Sequence, residues 1–398
     1  MSERHARPTP TRRELLLATA RGGAALGLAG LTANGARIAV APTVSGWRDD
    51  AGALGRELRI GYLPITDAAA LLTAHQRGFL ADAGLPAARP VLFRGWESLA
   101  QAFLVGDVDV VHLLMPFALQ LRLAQHADVR VLAWGHTNGS ALTVGRSITR
   151  TEQLAGTTVA IPYWWSVHNV LLQRLLAASG LRAVVRQAPS VSAGTVQLVV
   201  MSPAEMVPAL ASGRVSGFVV AEPFCSVAEV KGVGRVLRFL GDVWHDHACC
   251  GIAVRGDLVD AHPAAAQALT TGVVQAQQWL EGHRADAAAV LGAEGGYLPQ
   301  PAAAVSRVIT GRRPPATITR HPGWQGQRLG FSAYPRPGYT AELASLMQAT
   351  TVDGDRGFLR GIDPGTVHAG LVDERFVRQA ARDLHLPLPV TTPEEVAP

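Results

Sequence analysis

One structural unit occurs twice in this chain, and that duplication restricts the folds open to it. Gly106-Asp107-Val108 through Met115-Pro116-Phe117 lies without a gap on Gly213-Arg214-Val215 through Glu222-Pro223-Phe224, with glycine, valine, proline and phenylalanine at matching offsets. Each copy follows an apolar helical stretch, residues 99–105 and 206–211. Upstream of each lies a strand–loop–helix pattern ending in Gly84-Leu85 or Gly180-Leu181. Residues 108–114 form a near-continuous apolar run, the pattern of a strand buried on both faces of a parallel sheet. Strand and helix in alternation predict an α/β fold. Two copies of one βαβ arrangement predict two similar lobes rather than a single larger sheet.

The chain has 398 residues, enough for two such lobes, each with its own core. Hydrophobic residues make up 48% and charged residues 17%, which excludes a disordered polyelectrolyte. The net charge of +5 is mostly an end effect, because residues 1–37 hold six arginines against two glutamates. With no Lys/Arg run elsewhere, neither a nucleic acid nor a lipid surface is an expected partner. Thr11-Arg12-Arg13-Glu14 followed by a short, interrupted apolar run predicts a twin-arginine export signal over residues 1–41, cleaved between Ala33 and Ala41. The expected location is periplasmic or extracellular. Three cysteines, Cys225 and the adjacent pair Cys249 and Cys250, make no disulfide framework.

The first lobe is expected over residues 57–144 and 252–398, where helical C-terminal segments cover it, and the second over 145–251. Two strands near 144–150 and 245–252 would cross between them, giving the single dominant hinge motion of a clamshell.

Ligands of open α/β sheets sit beyond the carboxyl ends of strands, where loops lead into helix N-termini. The distinctive residues of this chain fall there. Thr66 and Asp67 follow the first strand and can cap the helix beginning near 67, Gly95 and Trp96 follow the second, and His112 lies toward the end of the third. In the other lobe Trp164, Trp165, Ser166 and His168 precede or open a helix capped by Ser166, and Glu222 ends the repeated strand. His247 and Cys250 lie in the second crossing, in a segment running from Trp244 to Cys250. Helix N-termini at 67, 97 and 167 would turn free amides toward one cleft, an anion site. Two adjacent tryptophans before a helix cap cannot both face one core, so at least one lines a surface or cleft. A carboxylate at position 222 needs a partner. His168, His245, His247, Cys249 and Cys250 are ligand types for a soft metal, but their spacing matches no zinc pattern and alternate strand residues face opposite ways. No metal or other cofactor is assigned.

Enzymatic signatures are missing: there is no Gly-x-Ser-x-Gly elbow, lysine-bearing phosphate loop or His-Glu-x-x-His. Lys231, the single lysine, lies in a turn away from the expected cleft.

The segment Arg59-Ile-Gly-Tyr-Leu-Pro-Ile-Thr-Asp-Ala-Ala, His168-Asn169, and Glu222-Pro-Phe followed by Lys231-Gly-Val-Gly resemble the nitrate/bicarbonate-binding proteins of ABC importers, within the wider nitrate, taurine and sulfonate group. The resemblance covers about 57–260. It implies a type II periplasmic-binding fold, a monomer with a small ligand clamped between lobes, and ABC permease and ATPase partners rather than catalysis. Trp96 matches the tryptophan of the family's first-lobe loop, and His168 its second-lobe pocket histidine. Ser140, in Asn138-Gly139-Ser140, stands where these proteins resemble Asn-Gly-Gln, and Cys249-Cys250 where nitrate binders look like His-Pro-Glu-Lys. The oxyanion's cation is therefore missing from the pattern, and a larger organic anion or zwitterion would suit the aromatic run. In that reading Ser140 and Glu222 fix ligand orientation, and Asn138 is a further ligand-binding residue. The alternatives are an exported enzyme similar to the thiamine-pyrimidine synthases and a ligand sensor.

Overall fold

The structure, a computed structural model, describes residues 54–311, 324, 326, 329–388, 393, 394 and 396–398. The expected signal segment lies outside the described residues. Among them no helix is long and apolar enough to cross a membrane.

Eleven strands are arranged in two sheets. The first contains β1 (Ile60–Tyr62), β2 (Val91–Leu92), β3 (Val110–Leu114), β4 (Val129–Trp134) and β11 (Cys250–Arg255), in the order β2-β1-β3-β11-β4. The second contains β5 (Ser140–Gly145), β6 (Thr158–Ile161), β7 (Arg182–Val184), β8 (Thr195–Val200), β9 (Gly217–Ala221) and β10 (Gly234–Phe239), in the order β10-β5-β9-β6-β8-β7. The two mixed α/β sheets share one plan. In each, strands of βαβ units pair in parallel, β1 with β2 and β3, β6 with β8 and β9. In each, one strand delivered by a crossing is inserted antiparallel: β11 beside β3, and β5 beside β9.

The sequence repeat maps onto this plan residue by residue. Moving from Gly106 to Gly213 carries the helix Trp96–Leu104 onto Pro203–Ala211, and β3 onto β9, without a shift at either end. Both repeated strands are buried along their whole length, which favours a near-continuous apolar run over alternation; His112 is the one polar side chain in either.

The crossings differ from the expected ones. Residues 140–145 were expected to close the first lobe, yet β5 pairs with β9 and β10 in the second sheet. The chain leaves the first sheet earlier, through residues 135–139, and returns through 240–249. The reason is local: Asn138 and Gly139 take consecutive left-handed conformations, φ 60° and 86°. They turn the chain out of the first sheet instead of closing a hairpin within it.

The ends of the first sheet's strands are tied by Asp109. Its buried carboxylate accepts from Arg56 at 2.7 and 2.8 Å and from Arg59 at 2.8 Å, with Arg255 at 3.5 Å. The C-terminal segments do more than cover the first lobe. The helix Pro263–Gly282 packs there, but Thr351 accepts from Gln173 at 2.7 Å, Phe358 packs on Trp165, and Arg307 pairs with Glu229 at 3.3 Å. These contacts tie the second lobe to the C-terminal segments.

Candidate functional site between the two sheets

Three segments of the chain meet where the crossings pass between the sheets. The first is the turn Thr66–Ala68 after β1. Neither Thr66 nor Asp67 caps the helix Ala69–Gln76 that follows. Thr66 instead gives both its backbone N–H (2.8 Å) and its hydroxyl (2.9 Å) to the carbonyl of Glu222 in the other lobe. Asp67 turns its carboxylate inward, 3.0 Å from His136 Nε2.

The second segment is the first crossing. Gly135 lets the backbone pass closely: a Cβ there would lie 3.1 Å from the His112 ring and 3.3 Å from the Asp67 carbonyl. Asn138, expected to bind the ligand, uses its side chain elsewhere. Its amide donates to Asp246 Oδ1 at 2.8 Å and accepts from Asp246 N at 3.1 Å, clasping one crossing to the other.

The third is the second crossing, Trp244 to Cys250. Tyr339 stacks on Trp244 at 4.4 Å, lies edge-on to Trp134 at 4.9 Å and donates its hydroxyl to the Ala248 carbonyl. Held this way, Cys249 lies just before β11 and Cys250 opens it. The strand alternation expected to point them apart does not apply, and their Sγ atoms are 3.5 Å apart. From the second lobe, Ser140 Oγ and His168 Nε2 meet at 3.0 Å, with Cys249 Sγ 3.9 Å from the same nitrogen.

All these side chains except Asp246 are buried. His247 Nδ1 lies 2.9 Å from the Trp244 carbonyl, which can only accept, so Nδ1 carries the proton and Nε2 presents a bare lone pair. Burial, and after it the neighbouring histidines, push His168 down to about 3. Burial likewise holds His247 at about 4. His112 is lowered by burial and by His136. His136 goes the other way: burial lowers it, but the facing Asp67 carboxylate, with Cys249, raises it to about 10. Burial raises both thiols, Cys250 to about 11. They are neutral thiols, the opposite of an activated nucleophile.

Eight polar atoms here have no hydrogen bond among the described residues: both oxygens of Asp67, both nitrogens of His112 and His136, Nδ1 of His168 and Nε2 of His247. The Asp67–His136 ion pair accounts for two of the eight. Each remaining atom costs about 1–3 kcal/mol if left unsatisfied, roughly 6–18 kcal/mol together. That rivals the entire stability of a typical domain, about 5–15 kcal/mol. This concentration of buried polar atoms where the two sheets meet is the candidate site.

Other expected site residues lie apart from this chamber or are engaged otherwise. Trp165 is buried against Phe358 at 5.3 Å, and Ser166 is the N-cap, accepting from Asn169 N at 3.2 Å and donating to the Tyr163 carbonyl at 2.8 Å. Trp164 is half-buried, and its carbonyl accepts from Asn169. Glu222 directs its carboxylate to Ser226 N (2.9 Å) and Oγ (3.1 Å), so its partner lies one turn along its own helix. Gly95 is half-exposed at the N-cap of Trp96–Leu104. Trp96 is buried, with an indole N–H that makes no hydrogen bond among the described residues. Among those residues no hydrogen bond or ring contact joins Trp96 to His168. The sequence reading passed over His136; its one signal was a position two residues before an Asn-Gly turn between two strands.

The duplicated sheets, paired crossings and enclosed polar chamber define a two-lobed α/β solute-binding protein fold. The chain belongs to the NMT1-like family, which matches residues 51–292, more than half of it. It is 27% identical over 245 residues to the nitrate/nitrite binding protein NrtA of Synechocystis sp. strain PCC 6803, covering 56% of this chain and 53% of that protein. NrtA of Nostoc sp. strain PCC 7120 is 25% identical over 244 residues, again with 53% of its length covered. The chain thus spans about half the length of these curated relatives. The crystal structure of the periplasmic nitrate-binding protein NrtA from Synechocystis PCC 6803 superposes with a TM-score of 0.71 at 21% identity, covering 83% of this chain and 89% of that one. The alkanesulfonate-binding protein SsuA from Xanthomonas axonopodis pv. citri, bound to MOPS, gives 0.57 at 21% identity, covering 74% and 91%. The fold is therefore the expected periplasmic-binding one, and these relatives are named as binding proteins, not enzymes.

Proposed function

We propose that this protein is the extracytoplasmic solute-binding component of an ABC importer of the nitrate/sulfonate/bicarbonate type. It captures a small anionic or zwitterionic ligand between its two lobes and presents the closed form to a permease and its ATPase. It works as a monomer, in the periplasm or outside the cell, after export through the twin-arginine signal in residues 1–41, and it has no nucleic-acid partner. The observation that carries this reading is the buried chamber whose walls come from both sheets, His112 and the crossings on one side and Ser140 and His168 on the other.

The chemistry of the walls fits a polar ligand held by neutral donors. His168 is uncharged at physiological pH and can present Nδ1, while the helix Val167–Ala178 directs free amides from its N-terminus.

The test is calorimetric titration of the purified protein with nitrate, nitrite, bicarbonate, taurine and longer alkanesulfonates, with small-angle scattering of each mixture. Micromolar binding of at least one anion, abolished by His168→Ala and accompanied by a smaller radius of gyration, is the expected result. Heat-silent titrations across the panel, with melting temperatures unmoved, would remove the proposal.

A further inference from the structure

The chamber contains a set of side chains that an anion site does not need. Asp67, His136, Cys249 and Cys250 each place a ligand-type atom within 4.8 Å of the other three, and all four are buried. The geometry points to a binding site for a thiophilic metal ion of the Zn2+ class, with two thiolates, one imidazole and one carboxylate as ligands. This inference goes beyond the anion-binding function and stands without it, because three of the four ligands lie on the crossings and the fourth follows β1.

The dimensions support it. Ligands about 2.0–2.3 Å from a tetrahedral zinc lie roughly 3.3–3.8 Å from one another. Cys249 and Cys250 are already 3.5 Å apart, and Asp67 and His136 are at 3.0 Å. The two pairs need only small side-chain rotations to surround one centre. The donor set also selects the ion: two thiolates and an imidazole favour a soft or borderline metal over Mg2+ or Ca2+, which take oxygen ligands.

Two cysteines, a carboxylate and an imidazole are enclosed together. A buried carboxylate is costly unless a cation faces it; His136 does so at 3.0 Å, and a metal ion would take that place between the Asp67–His136 pair and the two thiols. Entry of one divalent ion displaces three protons, one from each thiol and one from the His136 imidazolium, so the cluster passes from neutral to a single negative charge. That exchange also makes affinity fall as pH drops. His168, 3.9 Å from Cys249 Sγ, stands beside the cluster from the opposite lobe. A metal there would lie where the two lobes meet, and ion entry would require them to part about the crossings.

The experiment uses the purified full chain, reduced and stripped with a chelator under anaerobic conditions. Zn2+ is titrated in competition with a chromophoric chelator, and Co2+ is added separately to read coordination from its absorption. One Zn2+ per chain, held against the chelator, and a thiolate-to-Co2+ charge-transfer band are the expected results. The double variant C249S/C250S is expected to lose the band and to bind Zn2+ about 100-fold or more weakly, with Mg2+ and Ca2+ silent in both proteins. Circular dichroism and melting of the metal-free forms show whether the variant is folded; where it is not, the wild-type Co2+ spectrum and D67N decide. Absence of the charge-transfer band in reduced wild type, zinc uptake unchanged in C249S/C250S, or recovery of a Cys249–Cys250 disulfide as the native state would each overturn the site. Repeating the anion titrations on metal-free and Zn2+-loaded protein separates the two readings, since metal uptake without any anion response sinks only the earlier one.

Discussion

Thr66, at the end of the first strand of one sheet, donates its backbone N–H and its hydroxyl to the carbonyl of Glu222, at the end of the repeated strand of the other. These two bonds, 2.8 and 2.9 Å long, join strand ends from the two sheets across the chamber. The turn after β1 in one sheet is thereby latched to the residue that follows β9 in the other.

Replacing Thr66 with valine removes the hydroxyl bond and keeps the backbone one. The expected cost to closure is about 1 kcal/mol, the net worth of one such bond. It should appear as ligand binding weakened about fivefold, chiefly through faster release in stopped-flow measurements. Unaltered release kinetics would show that the latch does not hold the closed form.

Trp165 separates a packing role from a ligand role. Because its ring is buried against Phe358, Trp165→Ala should lower stability by about 3–5 kcal/mol in denaturant titrations. Ligand affinity of the remaining folded fraction should stay within about twofold. A stable variant with lost affinity would return Trp165 to the pocket wall.

Gly139 carries the first crossing out of its sheet with φ 86°, and a Cβ there would come 2.5 Å from the Leu329 side chain. Gly139→Ala therefore combines a left-handed backbone penalty with a clash. About 1–3 kcal/mol of destabilisation is expected, read as a lower melting temperature; a neutral result would mean that the turn relaxes freely.

Asp109 sets an acid limit. Burial raises its carboxyl, but the bonds from Arg56 and Arg59 prevail and bring it down to about 2, below the ordinary 3.8. A carboxyl lowered by folding contributes stability that is complete above its unfolded pKa and disappears as pH falls through the folded one. The contribution, on the order of 2 kcal/mol, should vanish between about pH 4 and pH 2. Asp109→Asn should be less stable at neutral pH and should flatten this part of the curve. Parallel acid limbs for the two proteins would assign the loss to other groups.

Much of the architecture could be read from the chain alone, and particular residues show why. The strands at 110–114 and 217–221 are apolar at every position but His112, because strands covered on both faces leave no polar side. The repeat from Gly106 to Gly213 placed both strands and both preceding helices, because packing of helix on strand is a local pattern of period and spacing. Ser166 was recognisable as a cap for the same reason: its bond closes within three residues.

The chamber was a different matter. His168, Cys250 and Asp67 were legible as residues at strand ends and loops, but nothing in their order pairs Asp67 with His136, or brings Cys249 beside His168. Those contacts close across separations of 69 and 81 residues, set by how two sheets exchange a strand. Likewise, the first lobe was expected to run to residue 144, yet the strand Ser140–Gly145 pairs with β9 in the second sheet. Sequence determined the elements and their repetition, since these follow from short-range periodicity and turn chemistry. Tertiary structure alone decided which buried polar groups face one another, since that depends on long-range packing that no local pattern encodes.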